Sequence, residues 1–92
     1  MFKIPRTNEI ESDEGFSVKV EMTRLVYTEG VKRLLINSEI LASPGNIAIY
    51  KKSIQKWEPP FDNEIIDENK CNVIIENIGR AFRFKGEWID VM

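Results

Sequence analysis

The sequence predicts an α+β fold: a mostly antiparallel sheet of four to five strands with one long C-terminal helix packed on one face, followed by a final strand. Three observations predict it. Apolar residues alternate with polar ones from Phe16 onward, the period of a half-buried strand. Between Asp67 and Gly86 the spacing changes to three and four, the period of a helix with one apolar face. Trp88, Ile89 and Val91 then return to β-favouring residues.

In chain order, Met1–Gly15 reads as an N-terminal arm, and residues 16–92 as a single α+β domain. The arm has Pro5, four acids and only three large apolar residues, so it is either loose or laid along the domain. Phe16, Val18, Val20 and Met22 alternate with Ser17, Lys19 and Glu21 as the first strand. Leu25–Thr28 continues in β-formers, and Glu29-Gly30 supplies a tight turn. Val31–Ile36 is the return strand, with Leu34 and Ile36 on one face. Ser43-Pro44-Gly45-Asn46 is a turn signal, and Ile47–Tyr50 a short strand. Lys51–Lys56 has room for one helical turn, which the prolines of Trp57-Glu58-Pro59-Pro60 prevent from continuing.

The helix is the most legible element. Cys71, Ile74, Ile75, Ile78, Ala81 and Phe82 form its stripe. Asp67 can accept from free backbone N–H groups at its start, and Gly86 can take the left-handed conformation at its end. Asp67 and Glu68 at the start, with Arg80, Arg83 and Lys85 at the end, follow the helix dipole.

Composition narrows the chemistry. The chain has 92 residues, a net charge of −2 and no histidine. Without histidine the commonest general base, the Ser–His and Cys–His pairs and the usual zinc sites are all missing. The five glycines are isolated and form no phosphate loop. The paired carboxylates, such as Asp62 with Glu64, match no calcium-loop spacing. No catalytic residue, metal site or cofactor is therefore assigned, and the chain is not expected to be an enzyme. Cys71 lies on the apolar stripe and is expected to pack in the core. No apolar run is long enough to span a membrane, no signal-peptide layout opens the chain, and a single cysteine suits a reducing compartment, so a cytoplasmic location is expected. The basic residues are scattered along the sequence, so no nucleic-acid partner is expected.

The acids gather in two places: Glu9, Glu11, Asp13 and Glu14, then Glu58, Asp62, Glu64, Asp67 and Glu68. Each group is either a solvated loop or a patch that attracts a basic partner. Phe16, Phe82, Phe84 and Trp88 are spaced like core residues. Trp57 and Phe61, beside the prolines and among acids, have two readings: pins that fold inward, or exposed anchors for a partner.

Taken together, Val26-Tyr27-Thr28-Glu29-Gly30, Ser38-Glu39-Ile40-Leu41-Ala42, Ile49-Tyr50, Ser53-Ile54, Trp57-Glu58-Pro59-Pro60, Glu64-Ile65-Ile66, Ile74-Ile75-Glu76-Asn77-Ile78 and Arg80-Ala81-Phe82-Arg83-Phe84 resemble the Immunity protein 74 family. These are small bacterial proteins assigned to polymorphic toxin systems. The resemblance runs from about Met22 to the end and leaves the arm outside. It implies an intracellular protein that binds and neutralises a cognate toxin domain, and it carries over no catalytic residue. Combined with the acids and aromatics, it places the partner contact at Trp57, Glu58, Phe61, Asp62 and Glu64. The alternative is a non-catalytic interaction module acting as a homodimer through an unpaired sheet edge.

Overall fold

The computed structural model describes residues 1–41 and 46–92. Seven strands form one sheet: β1 (Phe2–Arg6), β2 (Glu9–Ser12), β3 (Phe16–Val20), β4 (Arg24–Glu29), β5 (Lys32–Ile40), β6 (Asn46–Ile49) and β7 (Trp88–Val91). A short 3-10 turn (Lys51–Ser53) and one helix, α1 (Glu68–Phe84), complete the elements of the described residues. The strands lie side by side in chain order. Neighbours from β1 to β6 are antiparallel, whereas β7 lies parallel to β6 because α1 carries the chain back across the sheet. Helix α1 touches both β2 and β7, near opposite ends of the sheet, so the sheet curls around it.

One expectation is corrected here. The sheet has seven strands rather than four to five; of the two readings of residues 1–15, loose or laid along the domain, the second matches, since they supply β1 and β2. Alternation explains why these residues enter the sheet. Ile10 and Ser12 point inward and are buried, while Glu9 and Glu11 point outward, opposite Lys19 and Ser17 of β3. Two acids, Glu9 and Glu11, and Pro5 conceal that period in the sequence. The turn read at Ser43-Pro44-Gly45-Asn46 falls outside the described residues but for Asn46, which begins β6.

The β4–β5 hairpin follows the sequence reading. Glu29 pairs with Lys32, leaving Gly30 and Val31 as a two-residue loop in which Gly30 has φ 62°. Glycine at the first loop position is the pattern of a II′ turn, whose twist matches the strands it joins.

The inward faces of β2 to β6 supply Ile10, Phe16, Val18, Leu25, Tyr27, Leu34, Ile36, Ile47 and Ile49. The stripe of α1 packs on them with Cys71, Ile74, Ile78, Ala81 and Phe82, all buried. Each isoleucine buried in this way contributes about 1.5–3 kcal/mol before entropy is counted. The Asp67 carboxylate accepts from the Lys70 N–H at 2.7 Å and caps the helix. At the other end Gly86, with φ 77°, turns the chain, and the Glu87 N–H donates to the Phe82 carbonyl at 2.9 Å. Phe84 and Trp88, expected in the core, are exposed. Phe84 sits off the buried stripe, and Trp88 points to the face of β7 away from α1.

Candidate partner-binding surface

The segment from Ile54 to Ile66 is a closed loop with an apolar underside. Its neck is drawn together by a bridge between Lys56 and Ile65 and by the Ile66 N–H donating to the Gln55 carbonyl at 3.0 Å. One flank is fastened to the sheet, where the Glu58 N–H donates to the Arg33 carbonyl of β5 at 2.7 Å. Within the loop the Phe61 and Glu64 N–H groups donate to the carbonyls of Glu58 and Phe61, each at 3.0 Å. Ile54, Trp57 and Ile66 are buried beneath it.

Trp57 is therefore not an exposed anchor. It is 4% exposed and stacks on Tyr27, with ring centroids 6.4 Å apart. The cause is the floor of the loop: the sheet offers an apolar face there, and burying an indole outweighs leaving it in water. Lys32 holds the loop from the side. Its Nζ lies 5.7 Å from the ring centroids of both Trp57 and Phe61 and 2.7 Å from Glu64 Oε1. Phe61 is half-buried against the core, and Glu58 is half-buried beside it.

What the loop presents to solvent is its outer rim. Asp62, Asn63, Glu64 and Ile65 are exposed, Ile65 at 86%. Asp67 and Glu68 continue the acidic rim onto the start of α1. Among the described residues, Glu64 alone of these five loop acids is in an ion pair. Beside the rim, Ile54, Ile66, Cys71 and Met92 line a shallow apolar groove edged by Lys51 and Lys52. Burial pushes the Cys71 thiol above its ordinary pKa, which keeps it protonated and unreactive.

The first acidic group is arranged differently. Glu14 receives both Arg80 guanidinium nitrogens, at 2.9 and 3.0 Å, and this holds its carboxyl below the usual value. Arg80 also lies over the rings of Phe2 and Phe16, 5.8 Å from each centroid. Its Nη2 donates to Asn77 Oδ1 at 3.0 Å, and Asn77 Nδ2 donates to the Tyr27 hydroxyl at 3.0 Å. The Tyr27 hydroxyl in turn donates to Glu29 Oε1 at 2.8 Å, and Lys70 Nζ donates to Glu29 Oε2 at 2.6 Å. Burial is the main reason the Tyr27 hydroxyl is held far above its ordinary pKa. Glu29 is opposed by burial, yet its bonds to Lys70 and Tyr27 prevail and keep it ionised below its usual range. This chain of polar groups ties α1 to the β2–β3 turn and to β4.

The family model for Immunity protein 74 matches residues 17–91. The chain belongs to the Immunity protein 74 family. No curated protein and no solved structure matches it. The Immunity protein 74 match takes in the whole acidic loop and the helix, and it begins after β1 and β2. Among the described residues of this family member, no helix is long and apolar enough to cross a membrane. Among the described residues, no three Cys, Asp or Glu side chains gather as a metal site.

The structure thus keeps Glu58, Phe61, Asp62 and Glu64 together on one loop and turns Trp57 beneath them. Sequence reasoning missed Lys32, which braces the loop from a strand end, and Trp88, which is exposed. A lysine just past a hairpin loop carries no local sign of its distant partners. The one sign at Trp88 was Asp90 two residues on, which in a strand shares its face.

Proposed function

We propose that this protein is a cytoplasmic immunity protein that neutralises a cognate toxin domain by protein–protein contact rather than by catalysis. Membership of the Immunity protein 74 family over residues 17–91 carries this reading. The acidic rim supports it, since carboxylates left unneutralised on a braced loop suit a partner face rich in Lys and Arg. Glu58, Asp62, Glu64 and Ile65 make the contact, with Phe61 at its base and Trp57 holding the loop in shape. Charge steers the encounter, and Ile65 with the adjoining groove supplies apolar area.

The test is direct binding of the purified chain to the toxin domain encoded beside its gene, followed by growth of cells expressing that domain. Wild-type protein is expected to bind and to restore growth. The Asp62→Lys, Glu68→Lys double variant is expected to bind about tenfold or more weakly, chiefly through slower association at low salt. A toxin domain that ignores the wild-type chain overturns the reading. Equal binding by the double variant removes the acidic rim from the contact.

A further inference from the structure

The two edges of the sheet are unequal. On β1, Pro5 has no N–H to offer, the register slips between Lys3 and Arg6, and both of those charged side chains are exposed. Prolines, irregularities and charges of this kind blunt an edge. The outer edge of β7 has no such protection. The Met92 N–H donates to the Ile49 carbonyl at 2.8 Å, and the Met92 carbonyl accepts from the Lys51 N–H at 3.1 Å. Met92 therefore turns both backbone groups toward β6. Strand alternation gives Asp90 and Trp88 the same orientation and turns the N–H and C=O groups of Ile89 and Val91 outward. Among the described residues nothing bonds to those four groups.

The side chains on either face of this edge differ. Ile89 and Val91 share a face with Ile47 and Ile49, toward α1; Ile89 Cδ1 lies 3.7 Å from where a Cβ on Gly79 would stand. Trp88 and Asp90 lie on the opposite face, Trp88 at 62% exposure. The edge is thus a four-residue template with apolar groups beneath, an exposed indole above and one carboxylate in the middle.

A second copy of the chain fits this template poorly. The antiparallel register that uses both Ile89 and Val91 centres on Asp90, so it sets Asp90 directly across from the Asp90 of the other copy. Like charges at opposed positions oppose pairing. Registers shifted by a residue pair avoid this but use only one of the two outward-facing residues from each copy. A basic side chain at the opposed position reverses the sign. Its charge meets Asp90, and its stem lies along Trp88.

We propose that the β7 edge receives an extended segment of a partner protein, paired along Ile89 and Val91 with a Lys or Arg set opposite Asp90. The proposal rests on the reading of this chain as a partner-binding protein and names the chemistry of one contact. Backbone bonds supply the attachment and the Asp90 position supplies the selection, as in other strand-addition complexes.

The test uses the full chain and two synthetic octapeptides, one alternating valine with lysine and the other valine with glutamate. Backbone amide exchange at Ile89 and Val91 is followed through a titration. The lysine peptide is expected to slow exchange at both amides about tenfold at saturation, and the glutamate peptide to leave them unchanged. Asp90→Lys should move the preference between the peptides about fivefold toward the glutamate peptide. Val91→Pro, which removes one of the two outward N–H groups, should abolish protection at Ile89, with circular dichroism reporting whether the variant is folded. Sedimentation should find the wild-type chain monomeric and Asp90→Asn more prone to self-association. No protection by either peptide, equal protection by both, or a wild-type dimer already protected at Ile89 and Val91 each overturns the proposal. The peptides contain no toxin sequence, so their failure leaves the toxin-binding test above standing.

Discussion

Glu14 and Asp62 belong to runs of acids that look alike in the sequence, but their surroundings in the fold are opposite. Glu14 lies in the grip of Arg80, Glu11 lies 3.5 Å from Lys3, and Asp13 lies 2.7 Å from the terminal amine. Asp62, with Glu58 and Glu68, makes no ion pair among the described residues. Glu14 is spent on fastening the start of β3 to the helix, and Glu11 and Asp13 on fastening β1; Asp62, Glu58 and Glu68 are left to act on whatever approaches. Counting charges along a chain cannot separate these cases, because the partner that neutralises Glu14 is on α1, far downstream. An electrostatic patch is a property of which cations the fold brings near.

The strongest way to break the contrast is to remove what holds the second region in place. Trp57→Ala empties the underside of the acidic loop and should cost about 3–5 kcal/mol in urea unfolding. A loss below about 1 kcal/mol would mean that the loop keeps its shape without the indole. Next in size, Arg80→Ala releases Glu14 and Asn77 together and uncovers the rings of Phe2 and Phe16. It should lower the melting temperature by a few degrees and speed amide exchange in β1 and β2 while α1 stays protected. Exchange that rises uniformly would show that the arm and the helix unfold as one unit.

A smaller effect concerns acid. Arg80 holds the Glu14 carboxyl below its ordinary value of 4.5, and Glu29 is likewise lowered, its bonds to Lys70 and Tyr27 outweighing burial. The folded state therefore binds fewer protons at these sites than the unfolded chain. The stability they give is complete above the ordinary value and drains as pH falls through the lowered ones. Glu14→Gln and Glu29→Gln should each flatten the stability curve below pH ~4.5, measured by denaturation across pH. The smallest change in stability belongs to Asp62→Lys, expected within about 0.5 kcal/mol of wild type by urea unfolding. A larger loss would place Asp62 inside the structure rather than on its rim.

Elements that repeat their own period were legible in the sequence. The stripe from Cys71 to Phe82, the Asp67 cap, the Gly86 stop and the Gly30 hairpin all rest on local chemistry that tertiary contacts reinforce. The β1–β2 hairpin was not legible, because only Ile10 and Ser12 of β2 enter the core and the residues that alternate with them, Glu9 and Glu11, are acids. Trp57 was ambiguous for a related reason. Prolines and carboxylates around it describe a loop, while its burial depends on Tyr27 and Lys32 of another element. Of the candidate contact residues, Glu58, Phe61, Asp62 and Glu64 do share one loop. Phe84 was misread because apolar residues near the end of α1 continue past the point where the sheet can cover them, and Trp88 because it falls on the face of β7 away from the helix.

The parallel pairing of β6 with β7 has a consequence for the order of assembly. From β1 to β5 each strand meets its predecessor across a short turn, so that much of the sheet can zip up as soon as it is made. Asn46 meets Trp88 only after the acidic loop and all of α1 have been laid down between them. Closing so long an intervening stretch costs more chain entropy than any hairpin and slows the search. Until that closure, Ile47 and Ile49 lack their last covering strand. The rate-limiting event in folding is thus expected at the seam between β6 and β7, and substitutions at Ile89 should slow refolding more than equally destabilising ones at Val18.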